Sequence, residues 1–291
     1  MSEWMGDGDI AFPFLGIYLE NVPKSFTIFG FTIALYGVII GIGVVLAFLT
    51  ISTLAKKYGE NPDDYYELGC FLVLFGIVGA RLYYVIFSCE HYKNHLSSIF
   101  NIRQGGLAIY GGVIAGFITL IIWCRAKKKS MKMAGDLCFP GVLVGQILGR
   151  WGNFTNREVF GTYTDGPFAM RLPVSAVRAS DINDAIRAHM SPETNYIQVH
   201  PTFLYESFYN LVLLILILVF HKKKAFEGEV ILWYFGGYGI GRAIIEGIRT
   251  DRLLLAGTNI AVSQMLGILL FISAFVIDLV VRMKKAKKQT T

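Results

Sequence analysis

The chain is 291 residues long, 54% hydrophobic and only 16% charged, where a soluble domain averages about 25% charged. Its formal net charge is +6. These values exclude an ordinary soluble domain and point to an all-α polytopic membrane protein whose length suits one membrane domain, residues 1–291. The opening "MSEWMGDGDI" is acidic, so no signal peptide is expected and the first span should insert and stay. Cys70, Cys89, Cys124 and Cys138 have neither metal nor disulfide spacing and read as packing residues.

Taken in chain order, apolar runs predict seven transmembrane helices, at about 29–52, 67–88, 107–124, 134–150, 203–220, 229–248 and 260–281. The fourth is short and carries Asp136. Lys56 and Lys57, then "RAKKKSMK", "HKKK" and "RMKKAKK", follow the odd-numbered spans and hold 15 of the 27 Lys and Arg. With seven alternating spans all four clusters face one side, which places the N-terminus outside and the C-terminus in the cytoplasm. The net charge resides mostly in these anchors, so nucleic acid is not the expected partner. Residues 151–202 then form an extracytoplasmic insertion between the fourth and fifth spans, a small head. Asp165-Gly166 between β-prone flanks predicts a hairpin there, and "SDINDAIRAH" a short helix capped by Ser180 or Asp181.

An ionised side chain at the membrane centre costs roughly 2.5–3.5 kcal/mol on insertion scales, so charges inside spans are informative. In "FGGYGIGRAIIEGIRTDR", Arg242, Glu246 and Arg249 fall at i, i+4 and i+7 and share a helical face with net charge +1. Gly236, Gly237, Gly239 and Gly241 let another backbone or a ligand approach. In "GRWGNFTNREVFG", residues 149–161, Arg150 closes the fourth span and Asn153, Asn156 and Glu158 follow. An arginine fork suits phosphate, and Asn amides add neutral donors. In "RQGGLAIYGGVIAGF", Ala108, Gly112 and Gly116 make a small-residue packing face, with Tyr110 near the outer end. Arg81 in "FGIVGARLYYVIF" is a further intramembrane cation, and Tyr36 lies in the outer part of the first span. Arg150, Arg242 and Arg249 converge toward the outer leaflet, where a phospholipid head group is the abundant anion.

"GRWGNFTNREVFG" closely resembles the signature of the prolipoprotein diacylglyceryl transferases, G-R-x-G-N-F-x-N-x-E. "ALYGVIIG", "VGARLYYV", "GGLAIYGGVIAG", "HPTFLYE" and "GYGIGRAIIEGIRTD" resemble further segments of that family in order, covering residues 30–280. The resemblance implies a bacterial inner-membrane enzyme with its active site toward the outer leaflet and no metal or cofactor. Its substrates would be phosphatidylglycerol and the lipobox cysteine of a prolipoprotein; the products are a thioether and glycerol phosphate.

The resemblance also assigns roles. Arg150 binds the lipid phosphate. Arg242 meets the leaving phosphate or the thiolate, and Glu246 orients the arginines or accepts a proton. Arg249, Asn153, Asn156, Glu158, Tyr36, Arg81 and His200 complete substrate binding, with Gly105, Gly106 and Gly111 lining the pocket. Tyr110 stands where many relatives carry His, the natural candidate base, and a phenol of pKa about 10 is a poor base at neutral pH. Either Tyr110 only hydrogen-bonds a substrate, or an arginine lowers its pKa, or the base lies elsewhere; His200 is the remaining outer-side His within a motif. The alternative class is a transporter for an anionic lipid or solute, whose polar path should cross to the cytoplasmic side. An intramembrane protease is a third reading, but Ser273 and Asp278 lack the partners it needs.

Overall fold

The computed structural model describes residues 4–93, 96–102, 105–255, 257–258 and 260–290. The chain divides into two compact units, residues 1–47 with 139–291, and residues 48–138.

The first unit opens with short strands β1 (Ile10–Phe12) and β2 (Ile17–Leu19), then the hairpin β3 (Ser25–Ile28) and β4 (Phe31–Ala34). Helix α1 (Leu35–Lys57) starts immediately after. The expected first span began at residue 29, so this is a correction. Ser25, Phe26, Thr27 and Ile28, then Phe31, Thr32 and Ile33, alternate polar and apolar side chains, and Phe29-Gly30 turns with both φ values positive, +49° and +80°. That is the geometry of a tight two-residue hairpin, and it delays the helix to Leu35.

The second unit contains α2 (Pro62–Phe87), the single turn α3 (Cys89–Tyr92) and α4 (Ile109–Lys127). Asn61 caps α2, accepting from Asp63 N–H at 3.1 Å, ahead of Pro62 at the first helical position. The small-residue face of α4 does meet α2. A Cβ on Gly112 would lie 3.4 Å from Gly76 O, and one on Gly111 only 2.3 Å from Gly79 O. Gly111 therefore lets two helix backbones touch, and its Cα has no space for a ligand.

Helix α5 (Met131–Asn156) runs without a break through Arg150, so the signature begins on its last two turns rather than after a span. This corrects the expected end at residue 150: Gly149 and Gly152 are helical and serve close packing. Gly149 faces Ile40, and a Cβ on Gly152 would strike the Tyr36 ring at 2.5 Å.

The remaining elements are β5 (Met170–Pro173), the single turn α6 (Asp184–Arg187), β6 (Tyr196–Val199), α7 (Thr202–Phe220), α8 (Glu229–Glu246) and α9 (Val262–Thr290). The strands join across sequence in one antiparallel sheet of order β2-β1-β5-β6. The head thus takes two strands from the N-terminal segment as well as two from residues 151–202. Its core is Ile10, Phe12, Phe160, Leu172, Ile197 and Val199, joined by Phe154 of α5 and Phe203 of α7. The expected Asp165-Gly166 hairpin is not formed: β5 pairs with β6, and the dipeptide lies in the turn that precedes β5. The short helix forms, but Asn183 caps it, accepting from Ile186 N–H at 2.9 Å; Ser180 and Asp181 lie in an earlier 3-10 turn.

Among the described residues, five helical segments have the length and apolarity to cross a membrane: 35–57, 62–87, 109–127, 202–223 and 262–288. Helices α5 and α8 fill the other two expected positions but are more polar, α8 carrying Glu229, Arg242 and Glu246 within 18 residues. Glycines explain how α8 packs. A Cβ on Gly241 would meet the Tyr209 ring of α7 at 2.2 Å, and one on Gly239 would meet Gly267 O of α9 at 2.5 Å.

Candidate active site

Glu206, in the second turn of α7 and 4% exposed, collects three arginines from separate parts of the chain. Arg150 Nη2 of α5 lies 2.7 Å from its Oε2, Arg242 Nη1 of α8 lies 3.3 Å from the same oxygen, and Arg249 Nη1 lies 3.6 Å from Oε1. Arg242 Nη2 is also 2.7 Å from Glu246 Oε2. That oxygen nevertheless receives no directed hydrogen bond among the described residues, so the pair is a charge contact with acceptor capacity left over. Arg249 follows the end of α8, in the turn begun by Gly247, rather than on the helical face shared by Arg242 and Glu246. It still reaches the cluster, with Nε 3.8 Å from Glu246 Oε2. Its fork is taken up by Asp251, with Nε donating to Oδ1 at 2.9 Å and Nη2 to Oδ2 at 2.7 Å.

Three guanidinium groups and three carboxylates therefore balance, and the expected surplus of positive charge is absent without a ligand. Burial of such a cluster is tolerable only because each charge is paired. The arginines differ in openness. The Arg150 and Arg242 side chains are each 18% exposed and that of Arg249 is 9% exposed. Neither Arg150 Nε nor Arg242 Nε has a hydrogen-bond partner among the described residues. These two arginines have donors free for an incoming anion, whereas Arg249 is committed to Asp251.

The signature residues form a second layer. Arg150 Nη1 donates to Asn153 Oδ1 at 3.4 Å, and Asn153 Nδ2 and Asn156 Nδ2 each donate to Glu158 Oε1 at 3.2 Å. Arg178 approaches Glu158 Oε2 at 3.3 Å. Glu158 thus fixes both amides and, through Asn153, the Arg150 fork. The chain leaves α5 with two left-handed non-glycine residues, Arg157 (φ +56°) and Val159 (φ +59°), a costly geometry for a β-branched side chain. Arg157 holds the exit in place: it is 3% exposed and donates to Thr155 O at 3.0 Å, Val22 O at 2.6 Å and Gly8 O.

The signature's last glycine works as a crossing point. Gly161 N–H donates to His200 O at 2.9 Å, and Thr162 N–H donates to Ile248 O at 2.8 Å. A Cβ at Gly161 would lie 2.7 Å from His200 Cβ and 3.0 Å from Ile248 O. Only a glycine lets the signature strand lie against both the entry to α7 and the turn that carries Arg249. His200 is half-buried there, with Nδ1 3.2 Å from the Tyr205 hydroxyl, and burial holds its imidazole below the ordinary range, neutral at pH 7.

Tyr36, at the start of α1, lays its ring on Gly152 and feels the charges of Glu158 and Arg150, which places it beside the cluster. Two expected members belong to the other unit. Tyr110 opens α4, is 57% exposed, and has its ring 6.5 Å from that of Tyr83. Arg81 departs from the anion contact expected of it. All five of its N–H groups go to main-chain carbonyls: Nε to Ile99, Nη1 to Gly105 and Gly106, Nη2 to Ser98 and Asn101, at 2.7–3.2 Å. A guanidinium has five donors, so none remains for a phosphate. Gly105 and Gly106, with φ of +86° and +74°, wrap it rather than line a pocket.

Glu206 and Asp251 were not among the residues singled out from sequence. Glu206 did carry a signal, being a carboxylate inside an apolar run next to "HPTFLY". Asp251 carried none, since it follows a basic turn at a helix end.

The prolipoprotein diacylglyceryl transferase family model matches residues 23–280. A phosphatidylglycerol–prolipoprotein diacylglyceryl transferase of Finegoldia magna is 38% identical over 267 residues, 91% of this chain and 96% of the relative. One of Limosilactobacillus reuteri is 40% identical over 274 residues, 92% of this chain and 94% of the relative. One of Clostridium perfringens is 38% identical over 269 residues, covering 91% and 97%. The chain with this six-charge cluster therefore belongs to the prolipoprotein diacylglyceryl transferase family.

Proposed function

We propose that this protein transfers the diacylglyceryl group of phosphatidylglycerol to the lipobox cysteine of a prolipoprotein, the first step of bacterial lipoprotein maturation, at the Arg150–Glu206–Arg242 cluster. The carrying observation is that two arginines with unused donors are held side by side on one buried carboxylate. Arg150 and Arg242 fork the phosphodiester, and Glu206 is the internal counter-anion that keeps them aligned until the lipid arrives. The cysteine sulfur attacks the glycerol carbon bearing the phosphate oxygen. The C–S bond forms as the C–O bond breaks, and glycerol phosphate leaves against Arg242. The thiol proton passes to Glu246, whose Oε2 has acceptor capacity, and from there to the departing phosphate. No enzyme nucleophile is needed, because the thiolate of the substrate supplies it.

Asn153, Asn156 and Glu158 shape the head-group side of the pocket, with Tyr36 on its flank. Arg249 and His200 position the turn and the strand that close it. Tyr110 hydrogen-bonds a substrate, and Arg81 orders the segment that precedes α4. The chain is one seven-span membrane domain, N-terminus out, with residues 151–202 outside and the cluster at the outer leaflet. Helices α5 and α8 supply the two polar spans, with Arg150, Arg242 and Glu246 neutralised within the cluster and Glu229 paired with Arg282.

The test is a reconstituted assay with phosphatidylglycerol and a lipobox peptide, following peptide mass and glycerol phosphate release. A diacylglyceryl mass gain on the cysteine that disappears in Arg150→Ala and Arg242→Ala is expected. Folded wild-type protein that gives no mass gain with fresh thiol would overturn the assignment.

A further inference from the structure

The opposite ends of α7 and α8 hold a second feature that the transfer reaction does not use. At 1.5 Å per residue, Phe220 lies about 21 Å along α7 from Glu206. Around it is a cavity of about 400 Å³, within the range of small-molecule sites. Leu216, Ile217 and Phe220 of α7 and Trp233 of α8 form its apolar walls, and its two charged members, Lys223 and Arg282, are both cations.

Among the described residues, no carboxylate lines the cavity. Arg282 is anchored beside it by Glu229 and by Asp278, with Nε 3.0 Å from Oδ2. Lys223 is different. It is exposed, its ammonium stands 5.3 Å from the centre of the Phe220 ring, and it has no carboxylate partner among the described residues. Lys222 and Lys224 flank Lys223 in sequence, and Lys285 Nζ donates to Ala225 O at 2.6 Å. An apolar wall as long as several methylenes, ending in an unneutralised ammonium, matches an amphiphile with an acyl chain and an anionic head. Against lipid, the chain replaces bulk acyl chains at little gain, so selectivity comes from the head group meeting the lysine.

We propose that this cavity is a binding site for an anionic phospholipid of the surrounding bilayer, with its acyl chain along Phe220 and Trp233 and its phosphate at Lys223 and Arg282. The site is separate from the Arg150–Arg242 cluster and does not depend on the transferase reading.

Trp233 reports occupancy directly. The full chain is reconstituted in phosphatidylcholine vesicles doped with brominated phosphatidylglycerol or brominated phosphatidylcholine, without acceptor peptide so that no lipid is consumed. Subtracting the fluorescence of Trp233→Phe, or of Trp233→Tyr should the first variant misfold, isolates the Trp233 signal from Trp4, Trp123 and Trp151. The expected result is an about fivefold preference of Trp233 quenching for the anionic lipid, the equivalent of roughly 1 kcal/mol for one lysine. The preference should vanish in Lys223→Gln, a surface change that spares the fold. Equal quenching by both lipids overturns the proposal, and so does a preference that survives Lys223→Gln. Quenching by a brominated free fatty acid that exceeds quenching by the phospholipid overturns the choice of occupant.

Discussion

Glu206 Oε2 lies 2.7 Å from Arg150 Nη2, joining two residues 56 positions apart in sequence on different helices. Around that contact the whole charge cluster is organised, because Arg242 and Arg249 also take their bearings from Glu206. Removing one partner of a buried pair costs about 3–5 kcal/mol, since the other charges are left uncompensated. Glu206→Gln should therefore lower thermal stability in detergent by that order and reduce turnover. Glycerol phosphate should raise the melting temperature of the variant more than that of the wild type, because the anion takes the place of the lost carboxylate. Equal shifts in both proteins would refute the counter-anion role.

Arginine and lysine differ at this site in geometry rather than charge. Arg150→Lys and Arg242→Lys each lose one arm of a phosphate fork, a charge-assisted hydrogen bond of about 1.5–3 kcal/mol, so kcat/KM should fall by about 10- to 150-fold. Arg249→Lys loses the paired bonds to Asp251 instead and should reduce melting temperature more than kcat/KM. Steady-state kinetics and thermal unfolding on the three variants separate these outcomes; an equal kinetic loss in all three would contradict the division of labour.

Gly161 admits no side chain where the signature strand crosses His200 and Ile248. Gly161→Ala must push the Ile248–Arg249 turn away, so phosphatidylglycerol binding should weaken while the helical content is kept. Circular dichroism together with lipid binding measures this, and unchanged affinity would show that the crossing does not position the site.

Tyr110→Phe removes one hydroxyl from an exposed ring and leaves its contact with Tyr83. Turnover should fall by about 2- to 12-fold, the worth of a neutral hydrogen bond of roughly 0.5–1.5 kcal/mol, with phosphatidylglycerol binding unchanged. A complete loss of turnover with intact lipid binding would make the phenol the proton acceptor in place of Glu246.

Acid should loosen the head first. The Asn21 N–H, followed by the Tyr18 hydroxyl and the Gly6 N–H, holds the Asp9 carboxyl below its ordinary range. A depressed folded-state pKa means that the native state binds fewer protons than the unfolded chain. Asp9 therefore adds stability above the unfolded value near 3.8, and this is lost as pH falls through the lower folded value. Thermal unfolding between pH 7 and pH 3 should show a decline below about pH 4 that is shallower in Asp9→Asn, with the variant less stable at pH 7. Parallel curves would exclude this contribution.

Much of the architecture is written locally. Among the described residues, seven long helices lie close to the apolar and glycine-rich runs that announce them, because helix length and side-chain period are properties of contiguous residues. Residues 25–34 misled, since "SFTIFGFTIA" is as apolar as a span and only its alternation and the Phe29-Gly30 turn separate strand from helix. The head drew strands from residues 10–19 that no feature of residues 151–202 could announce.

By itself the sequence determined the membrane character, the signature and the presence of arginines that require an anion. Only the tertiary structure decided which anion they meet first. Positions 150, 206, 242 and 249 become neighbours when the ends of α5, α7 and α8 meet, and there Glu206 neutralises what the sequence displays as unpaired charge. Tertiary contacts likewise gave Arg81 to five carbonyls and left Arg150 and Arg242 with free donors. Charge is a property of the residue, but its availability depends on every neighbour brought within a few ångströms.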